Sequence, residues 1–308
     1  MRSIRYGMKQ KMTWLIKQFK GLITVTMIAL VLTLGVIVLT IVNIPRLIPL
    51  QSIKKSIGKL SNEIGSLIVA TLKLSIQVIH RPKWEFELPE NLGTSNWYLG
   101  MSNHLSWGDI FILLFAGHRK VPLLKFFMKD ELKWIPILYL VHKTVDMPFL
   151  KRHSMKSVKK NPELRKLDMI AAQKAAKRFA RNPSVAFSFA EGTRYTPEKH
   201  ATQSSPYFYL LKPKIGALNI ALSGMPKVSH LLDFTIIYKT NKTSAWNFAC
   251  GDMNDVKVIA KAYELPKEIL ARLPSDTEYK NFFQSYVNKI WEEKSRLIES
   301  TKKEQSNS

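Results

Sequence analysis

The sequence is almost free of cysteine, and this scarcity limits the chemistry open to the chain. Cys250 is the single cysteine among 308 residues, so an intrachain disulfide is excluded and a reducing compartment is the simplest setting. The seven histidines show no spacing typical of metal ligands, such as two histidines separated by three residues. We therefore predict neither a metal site nor a bound cofactor.

Acidic residues are also scarce, with 23 Asp and Glu against 47 Lys and Arg, which gives a formal net charge of +24. Such a charge repels itself unless anions neutralise it. Nucleic acid is the usual partner, but the N-terminal apolar segment described below argues against it and favours anionic lipid headgroups, a phosphorylated substrate or an acidic carrier protein. The basic segment 151–181 holds only two acidic residues, Glu163 and Asp168, and is either a solvated helix face or a docking surface for such anions.

The longest apolar run, residues 21–44, carries no charge. As a helix it is long enough to cross the hydrocarbon layer of a bilayer, roughly 30 Å. No signal-peptide cleavage pattern follows it, so we expect the segment to be retained. Basic residues and no acidic ones precede it, which predicts a cytoplasmic N-terminus.

A second apolar run, residues 61–79, is interrupted by Lys73 and Gln77, which favours an interfacial helix. Two arrangements stay open. We favour a helical hairpin bent around Pro45 and Pro49 that enters one leaflet and returns, over a true span with the rest of the chain outside. Residues 1–80 are thus assigned to a membrane anchor, 81–300 to a globular domain and 301–308 to a disordered tail.

Within the globular part, short apolar segments rich in aromatic or β-branched residues predict strands at 96–101, 184–189, 231–239 and 246–250. Helix signals lie between and after them. Residues 161–163 (NPE) open a helix that runs to about Arg181, and Ser275 with Glu278 caps a last helix that reaches about Glu299. This alternation predicts an α/β fold in which helices flank a mixed sheet.

Residues 103–109 (NHLSWGD) directly follow the first predicted strand. A histidine that leaves a strand, with a carboxylate five residues later at the start of a helix, can donate Nδ1–H to that carboxylate and keep Nε2 free to accept a proton. The pair is His104 and Asp109. By itself the spacing also fits a histidine beside an unrelated surface aspartate.

Residues 189–194 (FAEGTR) lie just beyond another predicted strand. Gly192 allows a close approach of backbone to a ligand, the guanidinium of Arg194 suits phosphate, and Glu191 can fix either the arginine or the loop. The alternative is an ordinary turn with a surface ion pair.

Together the two segments resemble the glycerolipid acyltransferase family that includes the bacterial lysophosphatidic acid acyltransferases. The first block of that family is N-H-x-S-x-x-D and its third is F-x-E-G-T-R, and both occur here in the expected order. Its second block ends in an arginine shortly after an aromatic, which fits residues 149–152 (FLKR). The resemblance extends over about residues 96–238.

The resemblance implies an O-acyltransferase that moves a fatty acyl group from acyl-CoA or acyl carrier protein to the free hydroxyl of 1-acyl-glycerol-3-phosphate, giving phosphatidic acid. The donor is a substrate and not a cofactor. His104 and Asp109 are the expected catalytic residues, with His104 as general base. The expected substrate-binding residues are Arg152, Glu191, Gly192, Thr193 and Arg194. The resemblance also implies a bacterial inner membrane, with the catalytic domain facing the cytoplasm.

Some features leave the acceptor open. Residues 191–199 (EGTRYTPEK) are similar to the branch of lysophospholipid acyltransferases that extends this loop, with Thr196 and Lys199 beyond the block. Another lysophospholipid, of the lysophosphatidylglycerol or lysophosphatidylinositol type, is therefore an alternative acceptor. A non-catalytic basic membrane-binding protein is the alternative from another class. Ser106 has no separate base nearby in the sequence, so we interpret it as a helix cap or loop brace and not a nucleophile.

Overall fold

The computed structural model describes residues 2–129, 134, 136–147, 149–150, 161, 163–271 and 277–307. Eight strands lie in this part of the chain: β1 Lys83–Glu87, β2 Trp97–Ser102, β3 Leu124–Phe126, β4 Met128–Lys129, β5 Phe149–Leu150, β6 Val185–Phe189, β7 Val228–Tyr238 and β8 Asp255–Glu264. The α-helices described are α1 Arg2–Asn43, α2 Gln51–His80, α3 Asp109–Gly117, α4 Pro136–Thr144, α5 Glu163–Ala176, α6 Pro197–Thr202, α7 Gly216–Gly224, α8 Ala245–Ala249, α9 Lys267–Ala271 and α10 Thr277–Asn307.

The two N-terminal helices form an antiparallel hairpin. Pro45 occupies the first turn of a short 3₁₀ segment, Ile44–Leu47, that reverses the chain. Near this bend Asn43 Nδ2 donates to Ser61 Oγ at 3.0 Å, and at the other end the Thr24 hydroxyl lies 2.7 Å from the His80 ring. Both helices are long and apolar enough to cross a membrane, judged by length and composition only. The predicted hairpin shape is therefore present, and both helices are longer than the predicted segments.

Six strands form a mixed sheet in the order β1-β8-β7-β2-β6-β3. Only β7 and β8 pair antiparallel; the other neighbours are parallel. β4 and β5 form a separate parallel pair. The predicted mixed α/β sheet flanked by helices is confirmed.

Alternate residues of the central strands face two different hydrophobic layers. On one face, Leu99 and Leu231 pack with buried residues of α7 and α10, such as Leu218 and Trp291. On the other face, Phe187 packs with α3 and with the buried side of α2. Because side chains of a strand alternate between faces, a single sheet can bind the C-terminal helix on one side and the hairpin on the other.

The predicted strand at residues 246–250 is wrong: this segment forms helix α8. Ser244 caps the helix, since its Oγ accepts a hydrogen bond from Asn247 N at 3.1 Å. The aromatic content favoured a strand, but the cap and the stacking of Phe248 on Phe111 decide the conformation.

Three strands of the main sheet were not predicted, namely β1, β3 and β8. β1 alternates charged and apolar residues, β8 does so over part of its length, and β3 has only three residues. The helix cap predicted at the start of α5 is confirmed, because Asn161 Oδ1 accepts a hydrogen bond from Glu163 N at 3.1 Å. The predicted Ser275 cap lies outside the described residues.

The predicted disordered tail is also wrong over most of its length, because α10 continues to Asn307. Its last described turns carry residues 301–307 in helical conformation, and Thr301 is buried. A lysine-rich and glutamate-containing end of this kind has good helix propensity, so the helix does not stop where the apolar periodicity weakens.

Candidate active site

Polar residues converge at one edge of the sheet, where the parallel strands β2, β6 and β7 end. Asn103, the first residue after β2, continues the pairing with β7 through its side chain: its Nδ2 donates to Ile236 O and its Oδ1 accepts from Ile236 N, both at 2.9 Å. The Asn103 side chain is buried. The chain beyond β2 is thereby held against the sheet edge, and the next residue is His104.

His104 and Asp109 are in direct contact. The Nδ1 atom of His104 lies 2.8 Å from Asp109 Oδ2. The side chain of His104 is 16% exposed and that of Asp109 is 0% exposed. Because Nδ1 is engaged with the carboxylate, Nε2 is the ring nitrogen left to exchange a proton with a bound molecule.

The Asp109 carboxylate is held by a full set of donors. Oδ2 also accepts from Leu105 N at 2.6 Å and from Ser106 N at 2.8 Å. Oδ1 accepts from the hydroxyl of Tyr238, at the end of β7, at 2.9 Å. Asp109 is the first residue of α3, where the helix dipole favours a negative charge. These contacts fix the direction in which the carboxylate meets the imidazole.

Ser106 is a structural brace. It is fully buried, its Oγ accepts from Gly108 N at 3.1 Å, and it donates to Met253 Sδ at 3.6 Å. A buried hydroxyl with both roles occupied is not placed to attack a substrate. The interpretation of Ser106 as a loop brace is confirmed.

The imidazole of His104 is held from the side as well as from Nδ1. Its ring stacks on Phe189, the last residue of β6, with ring centroids 3.8 Å apart. The backbone of His104 is fixed from the loop that follows β6, since His104 O accepts from Tyr195 N at 2.7 Å. The two predicted segments, 103–109 and 189–194, are therefore parts of one site.

Glu191 links the same two segments from the buried side of the site. Its Oε1 accepts from His104 N at 3.2 Å and its Oε2 accepts from Leu211 N at 3.3 Å, and its side chain is fully buried. Burial raises the pKa of Glu191 to about 8, against the lowering effect of the two backbone N–H donors. Since it does not reach the surface, we infer that Glu191 supports ligand binding by positioning the loops and not by direct contact.

The raised pKa of Glu191 predicts a pH dependence of stability. An unfolded glutamate has a pKa of about 4.3, so between about pH 4.3 and about pH 8 the folded chain keeps a proton that the unfolded chain releases. The free energy of unfolding then falls as the pH rises through this window and levels off above it. We expect the Tm of Glu191→Gln to depend less on pH between about 5 and 8 than that of the unaltered protein.

The test compares Tm across this pH range for the detergent-solubilised chain, with Glu268→Gln as control because Glu268 is an exposed glutamate. The glutamine amide faces a backbone donor, so the variant is expected to be less stable at every pH, and the slope is the informative quantity. An unchanged slope in Glu191→Gln would show that the buried carboxyl does not retain its proton.

Two exposed cations lie at the mouth of the site. The guanidinium of Arg194 lies over the ring of Trp107, 5.1 Å from its centroid. Lys214 approaches Gly192 so closely that a Cβ atom on that glycine would lie 3.6 Å from Lys214 Nζ. Gly192 has a positive φ of 69°, a conformation that favours glycine. A cationic rim next to a histidine and its carboxylate partner suits a substrate that carries both a hydroxyl and a phosphate.

The loop that carries Arg194 is closed by Lys199. Lys199 Nζ donates to Thr193 Oγ1 at 2.8 Å and to the carbonyl of Arg194 at 2.9 Å. Thr196 caps α6, since its Oγ1 accepts from Lys199 N at 3.3 Å. The extended loop is thus a capped turn that fixes the backbone on both sides of Arg194.

The structure brings together six of the seven predicted site residues; the seventh, Arg152, lies outside the described residues. Their functional roles stay predictions. The sequence reasoning missed Tyr238, Phe189, Trp107 and Lys214 as parts of the site. Trp107 and Phe189 had a local signal, because they lie within the two predicted segments 103–109 and 189–194; Tyr238 and Lys214 reach the site from separate segments of the chain.

Comparisons with known proteins identify the family and the fold. Residues 83–238, about half the chain, match the family model described as Acyltransferase. Among solved structures, the fold is similar to PlsC from Thermotoga maritima, described as a 1-acyl-sn-glycerophosphate (LPA) acyltransferase, with a TM-score of 0.50 and 17% sequence identity over 89% of this chain and 95% of that chain. A comparison with curated proteins gives no significant match.

Proposed function

Because the chain belongs to the acyltransferase family, we propose that it transfers a fatty acyl group from acyl-CoA or acyl carrier protein to the free hydroxyl of 1-acyl-glycerol-3-phosphate, giving phosphatidic acid. The observation that carries the proposal is the 2.8 Å contact between His104 and Asp109 beside the exposed guanidinium of Arg194. The proposed acceptor is of the class named in the description of the Thermotoga maritima protein, whose fold this chain shares.

In the proposed reaction His104 acts as general base. A hydroxyl group loses its proton only far above neutral pH, so its attack on a thioester requires a base positioned at that proton. Nε2 of His104 accepts the proton as the hydroxyl oxygen bonds to the thioester carbonyl carbon. The carbon–sulfur bond then breaks, the imidazolium returns the proton to the sulfur, and the products are an ester and a free thiol.

Asp109 and the cations have separate tasks in this reaction. Asp109 holds the imidazole through Nδ1 and stabilises the positive charge that forms on it. Arg194 and Lys214 bind the phosphate of the acceptor and so bring its hydroxyl to His104, which replaces a bimolecular encounter by a positioned one. We propose the same phosphate-binding task for Arg152.

Arg194→Gln should weaken acceptor binding more than it slows the chemical step. A charge-assisted hydrogen bond contributes about 1.5–3 kcal/mol, so we expect the KM for the lysolipid to rise roughly 10- to 100-fold while kcat changes less. Arg296→Gln is the matched control, since Arg296 is an exposed arginine on α10. A fall in kcat with an unchanged KM would show that Arg194 does not bind the acceptor.

The acceptor is tested by a panel of lysophospholipids offered with labelled acyl-CoA and labelled acyl carrier protein. The proposal expects the highest kcat/KM with 1-acyl-glycerol-3-phosphate. A preference for lysophosphatidylglycerol or lysophosphatidylinositol would assign the same chemistry to another acceptor. Absence of transfer with every acceptor would contradict the enzymatic proposal and favour a non-catalytic membrane-binding protein.

We also propose that the α1–α2 hairpin lies in a bacterial inner membrane with the catalytic domain in the cytoplasm. Large apolar side chains are exposed along the hairpin. Among them are Trp14 and Leu34 on α1, Leu47 at the bend, and Leu67 and Val78 on α2. Such a surface fits lipid better than water. A reporter fused to the C-terminus reads the orientation, and activity of a reporter that works only outside the cytoplasm would overturn it.

A further inference from the structure

A cavity of about 760 Å³ lies at the edge of the sheet opposite to His104. Its lining includes Trp97 at the start of β2, Pro183 just before β6 and Lys227 just before β7. His104 follows the other end of β2, and six residues of strand rise separate the two edges by about 20 Å. The cavity is therefore distinct from the candidate active site.

The lining of this cavity is strongly cationic. Lys55 and Lys59 contribute from α2, Arg119 from the end of α3, and Lys227 and Arg181 from the segments before the strands, against one acidic residue, Glu63. Among the described residues, no carboxylate forms an ion pair with Lys55, Lys59 or Arg119, and all three are exposed. A concave surface with several free cations concentrates anions.

Buried polar groups in the lining lack partners. The side chain of Asn182 is 1% exposed, and within the described part of the chain neither its Nδ2 nor its Oδ1 has a hydrogen-bond partner. An unsatisfied buried amide costs about 1–3 kcal/mol, so its retention in a cavity points to a ligand or ordered molecule that completes its hydrogen bonds.

The chemistry of the lining selects the kind of anion. Lysine and arginine heads, the amide of Asn182 and the hydroxyls of Thr94 and Ser95 are the donors that proteins use for phosphate. The volume exceeds that of a bare phosphate ion, so the phosphate is part of a larger molecule.

We propose that this cavity binds a phosphate-bearing ligand, either the headgroup of an anionic phospholipid or a soluble phosphorylated molecule. The proposal does not depend on the acyl-transfer reaction. The ligand would bridge the hairpin and the globular domain, because α2 supplies Lys55 and Lys59 while Arg119 lies just after α3 and Arg181 and Lys227 lie at the sheet edge. Binding should then stabilise the docking of the hairpin.

The test uses the full chain in neutral detergent and inorganic phosphate as the first probe, measured by calorimetry at constant ionic strength. The cavity variant is Lys59→Gln/Arg119→Gln, and the matched control is Lys289→Gln/Arg296→Gln, an exposed lysine and an exposed arginine on α10. We expect the cavity variant to bind phosphate at least about tenfold more weakly and the control to bind it as the unaltered protein does.

Arg194→Gln separates this site from the candidate active site. Phosphate binding that survives in Arg194→Gln and is lost in the cavity variant supports the proposal, whatever the outcome of the activity assays. Equal phosphate affinity in the cavity variant and its control, or loss of all binding in Arg194→Gln alone, would overturn it.

Vesicles distinguish the two sources of phosphate. If the cavity variant also loses binding to phosphatidylglycerol vesicles relative to phosphatidylcholine vesicles, the ligand is a lipid headgroup. If its vesicle binding equals that of the control while inorganic phosphate binding is lost, the ligand is a soluble phosphorylated molecule.

Discussion

His104→Ala is expected to lower kcat for acyl transfer by about 10²- to 10⁴-fold, the contribution of a positioned general base. The imidazole is partly exposed, and its loss removes one hydrogen bond to Asp109 and one stacking contact with Phe189. Asp109 keeps three other donors. The loop should therefore keep its conformation, so that the loss is chemical and not a loss of folding.

The measurement compares initial rates with saturating donor and acceptor, together with the melting temperature and binding to lipid vesicles. His230→Ala is the matched control, because His230 lies on β7 at the opposite sheet edge and contacts Ser229. We expect this control to retain the rate. Full turnover in His104→Ala would show that His104 is not the general base, whereas a normal biological role without turnover would favour the non-catalytic alternative.

The burial of Ser106 bears on the same experiment. If a serine carried the acyl group as a covalent intermediate, the unaltered enzyme would show a burst of thiol release before steady state. Removal of His104 would slow the acylation step. The hydroxyl of Ser106 is enclosed between Gly108 N and Met253 Sδ, so no such burst is expected from it. Direct transfer in one displacement agrees with this geometry.

The His104–Asp109 contact could be predicted from the sequence because it is local: five residues separate the partners, and a strand end and a helix start set their directions. The residues that complete the site are not local. Tyr238 reaches Asp109 from 129 positions away, and Phe189 reaches His104 from another strand. Their contribution depends on the strand order β7-β2-β6, which no single segment specifies.

The elements of the fold likewise differ in whether their own residues predict them or whether they depend on contacts with distant segments. Strands rich in apolar, aromatic and β-branched residues, such as β6 and β7, and the Asn161 cap of α5 have clear local signals. β8 does not, because one of its faces is polar and its pairing with β7 supplies the stability that its own residues lack. The segment that forms α8 shows the reverse error, where β-propensity was overruled by a serine cap and by tertiary contacts.

The net charge of +24 predicted an anionic partner but not where it binds. The fold divides part of this charge between two opposite sheet edges, with Arg194 and Lys214 beside His104 and Lys59 and Arg119 in the remote cavity. The separation of these two groups of basic residues depends on the crossover connections between parallel strands. It could not be read from the positions of the basic residues along the chain.

Asp109→Asn is the second substitution with a large expected effect, and it isolates charge from geometry. An asparagine at this position can place its oxygen at the present Oδ2, where it still accepts from His104, Leu105 N and Ser106 N. Its amide NH₂ then replaces Oδ1 and donates to the hydroxyl of Tyr238, which can accept a hydrogen bond as well as donate one. The fold and the position of the ring should be retained.

What the asparagine lacks is the negative charge opposite the imidazolium that forms when the acceptor hydroxyl is deprotonated. We therefore expect kcat to fall by about 10²- to 10⁴-fold with little change in the KM for either substrate, since the Asp109 carboxylate is fully buried behind His104. Asp233→Asn would be a poor control because Asp233 pairs with buried Lys294, whereas Asp255 at the start of β8 is only half-buried and offers a better one. If Asp109→Asn kept the full rate with an unchanged melting temperature, the carboxylate would serve only to shape the loop, and the charge argument for the dyad would be wrong.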